Sequence, residues 1–261
     1  MKYLLLALML TVFSVTSINA KTVVLTNQNS MSLNGQVDGT SMTTLMTKLQ
    51  ELNKIETQEP IYLLINSPGG SIYDGFDFIR FAKTSKRPIH TVTLFAASMA
   101  FQIVEALGDR YVTDYSTLMS HRAKGGFQGE FPGQLNSRYE HVMSHILEQD
   151  SEVVKRTKGK QTLESYAKLI QNEYWANSEK AIKDGFADEN VQVSCDKSLE
   201  GTNEQRVDLG FFTVDVTFSN CPLIVNPVAI KLARGFEYVE TNKININNEY
   251  NKIFEMRNVK F

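Results

Sequence analysis

Hydrophobic and polar positions follow two different periods along this chain, and together they assign most of its first 190 residues. Met42, Leu45, Met46, Leu49 and Leu52 recur at helical spacing, so Met42–Leu52 is predicted as a helix with Thr40 or Ser41 as its cap. IYLLIN at 61–66 is an apolar run, as expected of a short strand buried on both faces. SPGGS at 67–71 breaks the chain, and helical spacing resumes over Tyr73–Thr84 through Phe76, Phe78, Ile79 and Phe81. His90–Leu94 reads as another strand and Ser98–Ala106 as a helix directly behind it. Arg110–Thr113 and Leu118–Ser120 read as two short strands. This alternation predicts an α/β domain of stacked βαβ units on a largely parallel sheet.

Beyond His121 the chain turns glycine-rich, RAKGGFQGEF, and a long helix is predicted from Gln134. Leu135, Tyr139, Val142, Met143, Ile146 and Leu147 fall on one of its faces. Thr162–Glu173 makes a further helix. NSEKAIKDG at 177–185 makes a compact one, with Ser178 placed to cap it and Gly185 to end it. Tyr174 and Trp175 are expected as core aromatics. After Val191 the character changes: GFFTVDVTFSN at 210–220 alternates like a strand, and the last stretch, INNEYNKIFEMRNVKF, is charged and polar. Residues 192–261 are therefore read as an appended β-rich extension of a main domain at 21–191.

The first 20 residues, MKYLLLALMLTVFSVTSINA, set the compartment. One cation, an apolar run too short to span a bilayer and a small-residue end have the layout of a cleavable signal peptide, with cleavage expected after Ala20. The mature protein is expected to be soluble and exported, in the periplasm or outside the cell. Cys195 and Cys221 are the two cysteines of the chain, and in an oxidising compartment they are expected to form one disulfide. Such a bridge is worth roughly 3 kcal/mol by loop-closure arithmetic. The formal net charge of −2 and the dispersed basic residues give no nucleic-acid surface. His141 and His145 stand one helical turn apart, but Val142 occupies the place where a zinc hydrolase needs a glutamate, so no metal site is expected. SPGGS lacks the lysine of a phosphate-binding loop, and no cofactor is expected.

Strand–SPGG–helix and strand–AAS–helix are one architectural event repeated. In a parallel sheet the carboxyl ends of the strands and the following helix N-termini line one crevice. Gly69 and Gly70 permit close backbone approach, so an N–H from either, with that of Met99, can converge on a developing oxyanion. Ser98 is placed either to cap its helix or to act as a nucleophile. His121, closing a short strand beside the same crevice, is the candidate base. Spacing alone does not say whether the two meet.

INSPGGS, then AASMA, then a histidine leading into GGFQGE, resembles the ClpP family of serine peptidases over about Val23–Val191, ending at EKAIKDGFADE. The resemblance implies a ClpP/crotonase-like fold with a handle helix, and a homo-oligomeric ring. It implies Ser98 as nucleophile, His121 as general base, and an oxyanion hole from Gly69, Gly70 and the Met99 N–H. It further implies that Gly125, Gly126 and Phe127 form a glycine-rich strand that binds extended substrate. Peptides or unfolded chains are the implied substrates.

Two features depart from that pattern. An ungapped count from Leu163 to Ala181 puts Leu169 where the family carries its third catalytic residue, an aspartate. Asn172 and Glu173 are the possible replacements nearby. Second, an exported chain has no ATP at hand, so no ATP-driven unfoldase is expected as partner. The expected activity is that of an ATP-independent serine endopeptidase. The alternative is a ClpP-fold oligomer with weakened catalysis, serving as a binding or scaffold protein.

Overall fold

The alternation of apolar runs and amphipathic stretches is realised in the computed structural model, which describes residues 21–208 and 213–232. The proposed signal peptide at 1–20 and the charged C-terminal stretch lie outside the described residues. The chain divides into two compact units, one up to Leu199 and one from Glu200.

The first unit contains β1 (Thr22–Leu25), β2 (Ser30–Asn34), α1 (Gly39–Leu52), β3 (Ile61–Ser67), α2 (Ile72–Ala82), β4 (Ile89–Ala97) and α3 (Met99–Ala106). It continues with β5 (Arg110–Ser120), α4 (Gly133–Arg156), α5 (Leu163–Leu169), β6 (Tyr174–Asn177), α6 (Ser178–Asp184), β7 (Glu189–Asn190) and β8 (Gln192–Cys195). Strands β2, β3, β4 and β5 pair in parallel in that order. β6 runs antiparallel along the C-terminal half of β5, and β7 lies parallel to its N-terminal half. β8 pairs in parallel with β1, which carries the first unit beyond Val191.

Five of the seven residues of β3 are buried, as a strand covered on both faces requires. One core packs α1, α2 and α3 onto the sheet through Leu45, Leu49, Leu63, Phe78 and Ile103. A second gathers Phe101, Leu118, Val153, Tyr166, Tyr174 and Phe186. Helix α3 feeds both, Ile103 into one and Phe101 into the other, so the helix behind Ser98 is fixed from two sides.

Several local expectations change. The cap of α1 is Asp38, which accepts from the Ser41 N–H while the Ser41 hydroxyl accepts from the Asp38 N–H. The acid enters the helix in extended conformation and the serine becomes its third-residue partner, a capping box. Asn177, not Ser178, caps α6, while Gly185 ends it at φ 91° as expected. The two short strands predicted at 110–120 are one, interrupted by a register shift and by exposed Tyr115 at φ 63°. Tyr174 is buried but Trp175 is half exposed, because neighbouring residues of β6 face opposite ways. The apolar face of α4 is only partly covered among the described residues: Leu135, Val142, Met143 and Ile146 are half-buried, Tyr139 and Leu147 are exposed, and only Val153 is fully covered.

Arg110, 2% exposed, anchors the far end of α3. Its guanidinium bonds Asp188 through two nitrogens at 3.0 Å and Glu105 through a third. Burial raises the Glu105 carboxyl to about 7 against the opposing pull of Arg110. From its ordinary 4.5 up to about 7, the folded chain holds a proton that the unfolded chain has released. Stability from this group therefore falls as pH rises through that window. Relative to the parent, Glu105→Gln should gain on the order of 3 kcal/mol between pH 4.5 and 7.5 in urea unfolding. A constant difference would show that Glu105 stays charged throughout.

The second unit is an antiparallel sheet of β9 (Thr202–Asp208), β10 (Thr213–Ser219) and β11 (Ala229–Leu232), with β10 central. Val214 and Val216 are buried on β10, and Arg206 bonds Asp215 through two nitrogens at 2.7 and 3.1 Å. Residues 210–212 of the predicted 210–220 strand lie outside the described residues. Cys195 and Cys221 are both disulfide-bonded. No helix among the described residues is long and apolar enough to cross a membrane.

Candidate active site

Ser98 follows the last residue of β4 and precedes the first of α3, a strand-to-helix turn taken in a single residue. The turn requires φ 55° and ψ −121° at Ser98, a region that side chains other than glycine avoid. Its N–H bonds the Met119 carbonyl at 2.9 Å and its own carbonyl accepts the Gln102 N–H at 3.2 Å, so the turn is held by main chain at both ends. The hydroxyl does not cap the helix. It lies 2.8 Å from His121 Nε2.

His121 directly follows β5, the neighbour of β4, so sheet pairing brings the two residues together across 23 positions of sequence. The other ring nitrogen, Nδ1, is 2.6 Å from the Arg122 carbonyl oxygen. A carbonyl oxygen only accepts, so Nδ1 carries the proton in the neutral ring and Nε2 presents its lone pair to the serine hydroxyl. That tautomer is the one a general base needs.

The SPGG loop sits against the start of α3. A Cβ on Gly69, where φ is 89°, would come within 2.7 Å of both the Met99 nitrogen and Ser98 Cβ. One on Gly70 would overlap the Val37 carbonyl oxygen. Val37 also donates to the Gly69 carbonyl at 2.9 Å and accepts from Ser71 at 2.8 Å, pinning the loop. The Gly69 N–H bonds Ser67 Oγ at 3.1 Å, a partner any incoming oxygen shares or displaces there. Gly69, Gly70, Met99, Ser98 and His121 thus occupy one corner of the sheet, at the carboxyl ends of β3, β4 and β5.

The remaining predicted residues are placed differently. Leu169 packs beside the second core. The β5–β6 pairing runs from Thr117–Asn177 to Ser120–Tyr174 and ends there, one residue short of His121 on one strand and of Glu173 on the other. Glu173 holds φ 64°, accepts from Trp175 Nε1 at 3.1 Å and lies 3.8 Å from Lys124 Nζ. Asn172, at the end of the turn after α5, is exposed. Neither residue hydrogen-bonds His121 among the described residues. Gly125, Gly126 and Phe127 belong to no strand: residues 121–130 form no ladder among the described residues, and 122–130 are exposed. The flank of β5 beside them is taken by β6, and β6 is itself the outermost strand of the sheet among the described residues. His141 and His145 do share a face, ring centroids 4.7 Å apart, with no third metal-ligating side chain beside them among the described residues.

Sequence reasoning missed Ser67 and the Arg122 carbonyl. The carbonyl is main chain, so no residue identity signals it.

A serine hydroxyl facing the free lone pair of a histidine, beside a glycine loop and a helix N-terminus at the end of a parallel sheet, is the arrangement of groups that serine-class hydrolases use. The Clp protease family model matches residues 16–194, and the chain belongs to that family of serine peptidases. Among its relatives, the ATP-dependent Clp protease proteolytic subunit of Streptococcus equi subsp. equi is 28% identical over 163 residues, 60% of this chain and 81% of the relative. The ATP-dependent Clp protease proteolytic subunit 1 of Prochlorococcus marinus subsp. pastoris is 28% identical over 159 residues, 60% of this chain and 80% of the relative.

Proposed function

We propose that the chain is an exported serine endopeptidase that hydrolyses peptides or unfolded chains through an acyl-enzyme on Ser98. The observation that carries this reading is the 2.8 Å contact between Ser98 Oγ and the unprotonated nitrogen of His121. His121 takes the hydroxyl proton as Oγ attacks the scissile carbonyl, then returns it to the leaving amine. Water repeats the cycle on the ester. The developing oxyanion is held by the Met99 N–H with that of Gly69 or Gly70.

The signal-like leader and the disulfide support export, and without ATP the enzyme works with no unfoldase. The partly exposed apolar face of α4, with Tyr139 and Leu147, supports assembly into a homo-oligomeric ring. The Arg122 carbonyl fixes the imidazole tautomer, and Glu173, one residue beyond the end of the β5–β6 ladder as His121 is, supplies the carboxylate that stabilises the imidazolium through space.

Labelling of the mature protein with a fluorophosphonate probe tests this. The reaction is expected to require both Ser98 and His121, and to be absent in Ser98→Ala and His121→Ala. Glu173→Gln should slow it only about 10-fold, because the carbonyl keeps the tautomer that a lost acid otherwise forfeits at a cost near 10⁴. An unchanged rate would make Glu173 a bystander. Absence of labelling in the folded parent would favour the weakened-catalysis alternative, whose structural support is a carbonyl, not a carboxylate, at His121 Nδ1.

A further inference from the structure

Tyr166, on α5, is fully buried, and its ring packs against Phe186 at 5.7 Å between centroids. A buried phenol hydroxyl needs partners, and this one has two from different elements. It lies 2.8 Å from Ser120 Oγ, and it accepts from Gln102 Nε2 at 3.4 Å. Ser120, itself 0% exposed, is the last residue of β5 and precedes His121 directly. Gln102 is one turn into α3, and its N–H holds the Ser98 carbonyl. One hydroxyl therefore joins the strand that delivers the histidine to the helix that starts behind the serine.

We infer that Tyr166 is a positioning residue for the proposed Ser98–His121 pair, its hydroxyl setting the approach of the strand end at Ser120 to the helix turn at Gln102. The inference rests on the proposed serine mechanism. The Gln102 amide donates to the phenol oxygen, so the phenol proton is free for Ser120 Oγ. Burial raises the Tyr166 hydroxyl far above its ordinary value, so it stays neutral and able to donate at any working pH. A serine–histidine contact tolerates an error of only about 0.5 Å before proton transfer suffers. The bridge acts on that tolerance without touching substrate.

Three variants separate positioning from mere packing: Tyr166→Phe, Ser120→Ala and the two combined. Tyr166→Phe keeps the ring and leaves the Ser120 and Gln102 groups without their buried partner. Removing both polar ends restores stability more than rate, because an apolar pair is tolerated where an orphaned hydroxyl is not. Tyr166→Phe is expected to lower kcat and the fluorophosphonate labelling rate roughly 10-fold, with KM unchanged within about twofold. In the combined variant Tm should recover towards that of the parent while kcat stays low.

Parent-like kcat in folded Tyr166→Phe would overturn the inference, as would kcat recovering in step with Tm in the combined variant. Parent-like labelling of Tyr166→Phe that still depends on Ser98 would remove the positioning role alone. Labelling that survives in Ser98→Ala, or is absent from the parent, would remove the serine mechanism and the positioning role with it.

Discussion

Ser98→Ala is expected to reduce peptide hydrolysis by a factor on the order of 10⁶, to the level of a site with no nucleophile. The fold should survive, because Ser98 holds its turn through its N–H and carbonyl and its hydroxyl caps nothing. Ser98→Gly should be equally inactive but differ in stability. At φ 55° and ψ −121° any residue with a Cβ is strained by about 1–3 kcal/mol, and glycine is relieved of that strain. Glycine gives back about 0.5–1 kcal/mol through the freer unfolded chain. The net gain over Ser98→Ala is about 1 kcal/mol, or roughly 2–4 °C in Tm. Two dead variants, with glycine the more stable, would show that the turn is strained to present the hydroxyl. Hydrolysis at the parental rate by Ser98→Ala would end the assignment of Ser98 as nucleophile.

What the sequence made legible follows from the range of the interactions involved. The parallel sheet was readable because βαβ alternation is a local pattern, and β3 announced its double burial through an unbroken apolar run. The corner of the site was half readable. SPGG and AAS mark strand-to-helix turns, but a serine at a helix start looks the same whether it caps or reacts. Only the positive φ at Ser98 and the sheet pairing that carries His121 alongside separate the two roles. Counting along α5 pointed to Leu169, which packs beside the second core, whereas the antiparallel pairing of β5 with β6 ends one residue short of both His121 and Glu173. A register between distant strands cannot be counted from one of them. GGFQGE looked like a strand because its family resemblance supplied one, and in the single chain the segment forms no ladder among the described residues, since a strand exists only where a partner edge is hydrogen-bonded to it. Tyr166 gave no signal, since a tyrosine on a helical stripe reads as core and nothing local ties its hydroxyl to Ser120.

Arg110→Met is expected to destabilise the protein by about 3–5 kcal/mol while leaving the chemistry of the folded fraction intact. Removing the guanidinium takes the paired cation from Glu105, fully buried, and leaves Asp188, one-quarter exposed, with Lys158 alone at 3.3 Å. Glu105 Oε1 already has no hydrogen-bond partner among the described residues, so the bond from Arg110 is the one its carboxylate would lose. Desolvation alone would raise Asp188; the Arg110 hydrogen bonds and charge overcome it and hold the carboxyl well below the usual carboxylate range. A depressed carboxylate stabilises the fold above its unfolded value of 3.8, and that contribution drains away as pH falls towards the folded value. The Asp188 share of the Arg110→Met deficit should therefore be full at pH 7 and begin to shrink below about pH 4, as read from urea unfolding at both, whereas the Glu105 share already declines as that carboxyl takes up its proton near pH 7. Because a buried ion pair can be replaced by apolar side chains at little cost, Arg110→Met with Glu105→Leu and Asp188→Asn should recover a large part of the loss. Glu105 and Arg110 lie at the opposite end of α3 from Ser98, so labelling of the folded fraction at low temperature should match that of the parent. A combined variant no more stable than Arg110→Met would mean that the cluster directs the packing of α3, β5 and the Asp188 turn through its geometry, beyond the pairing of its charges.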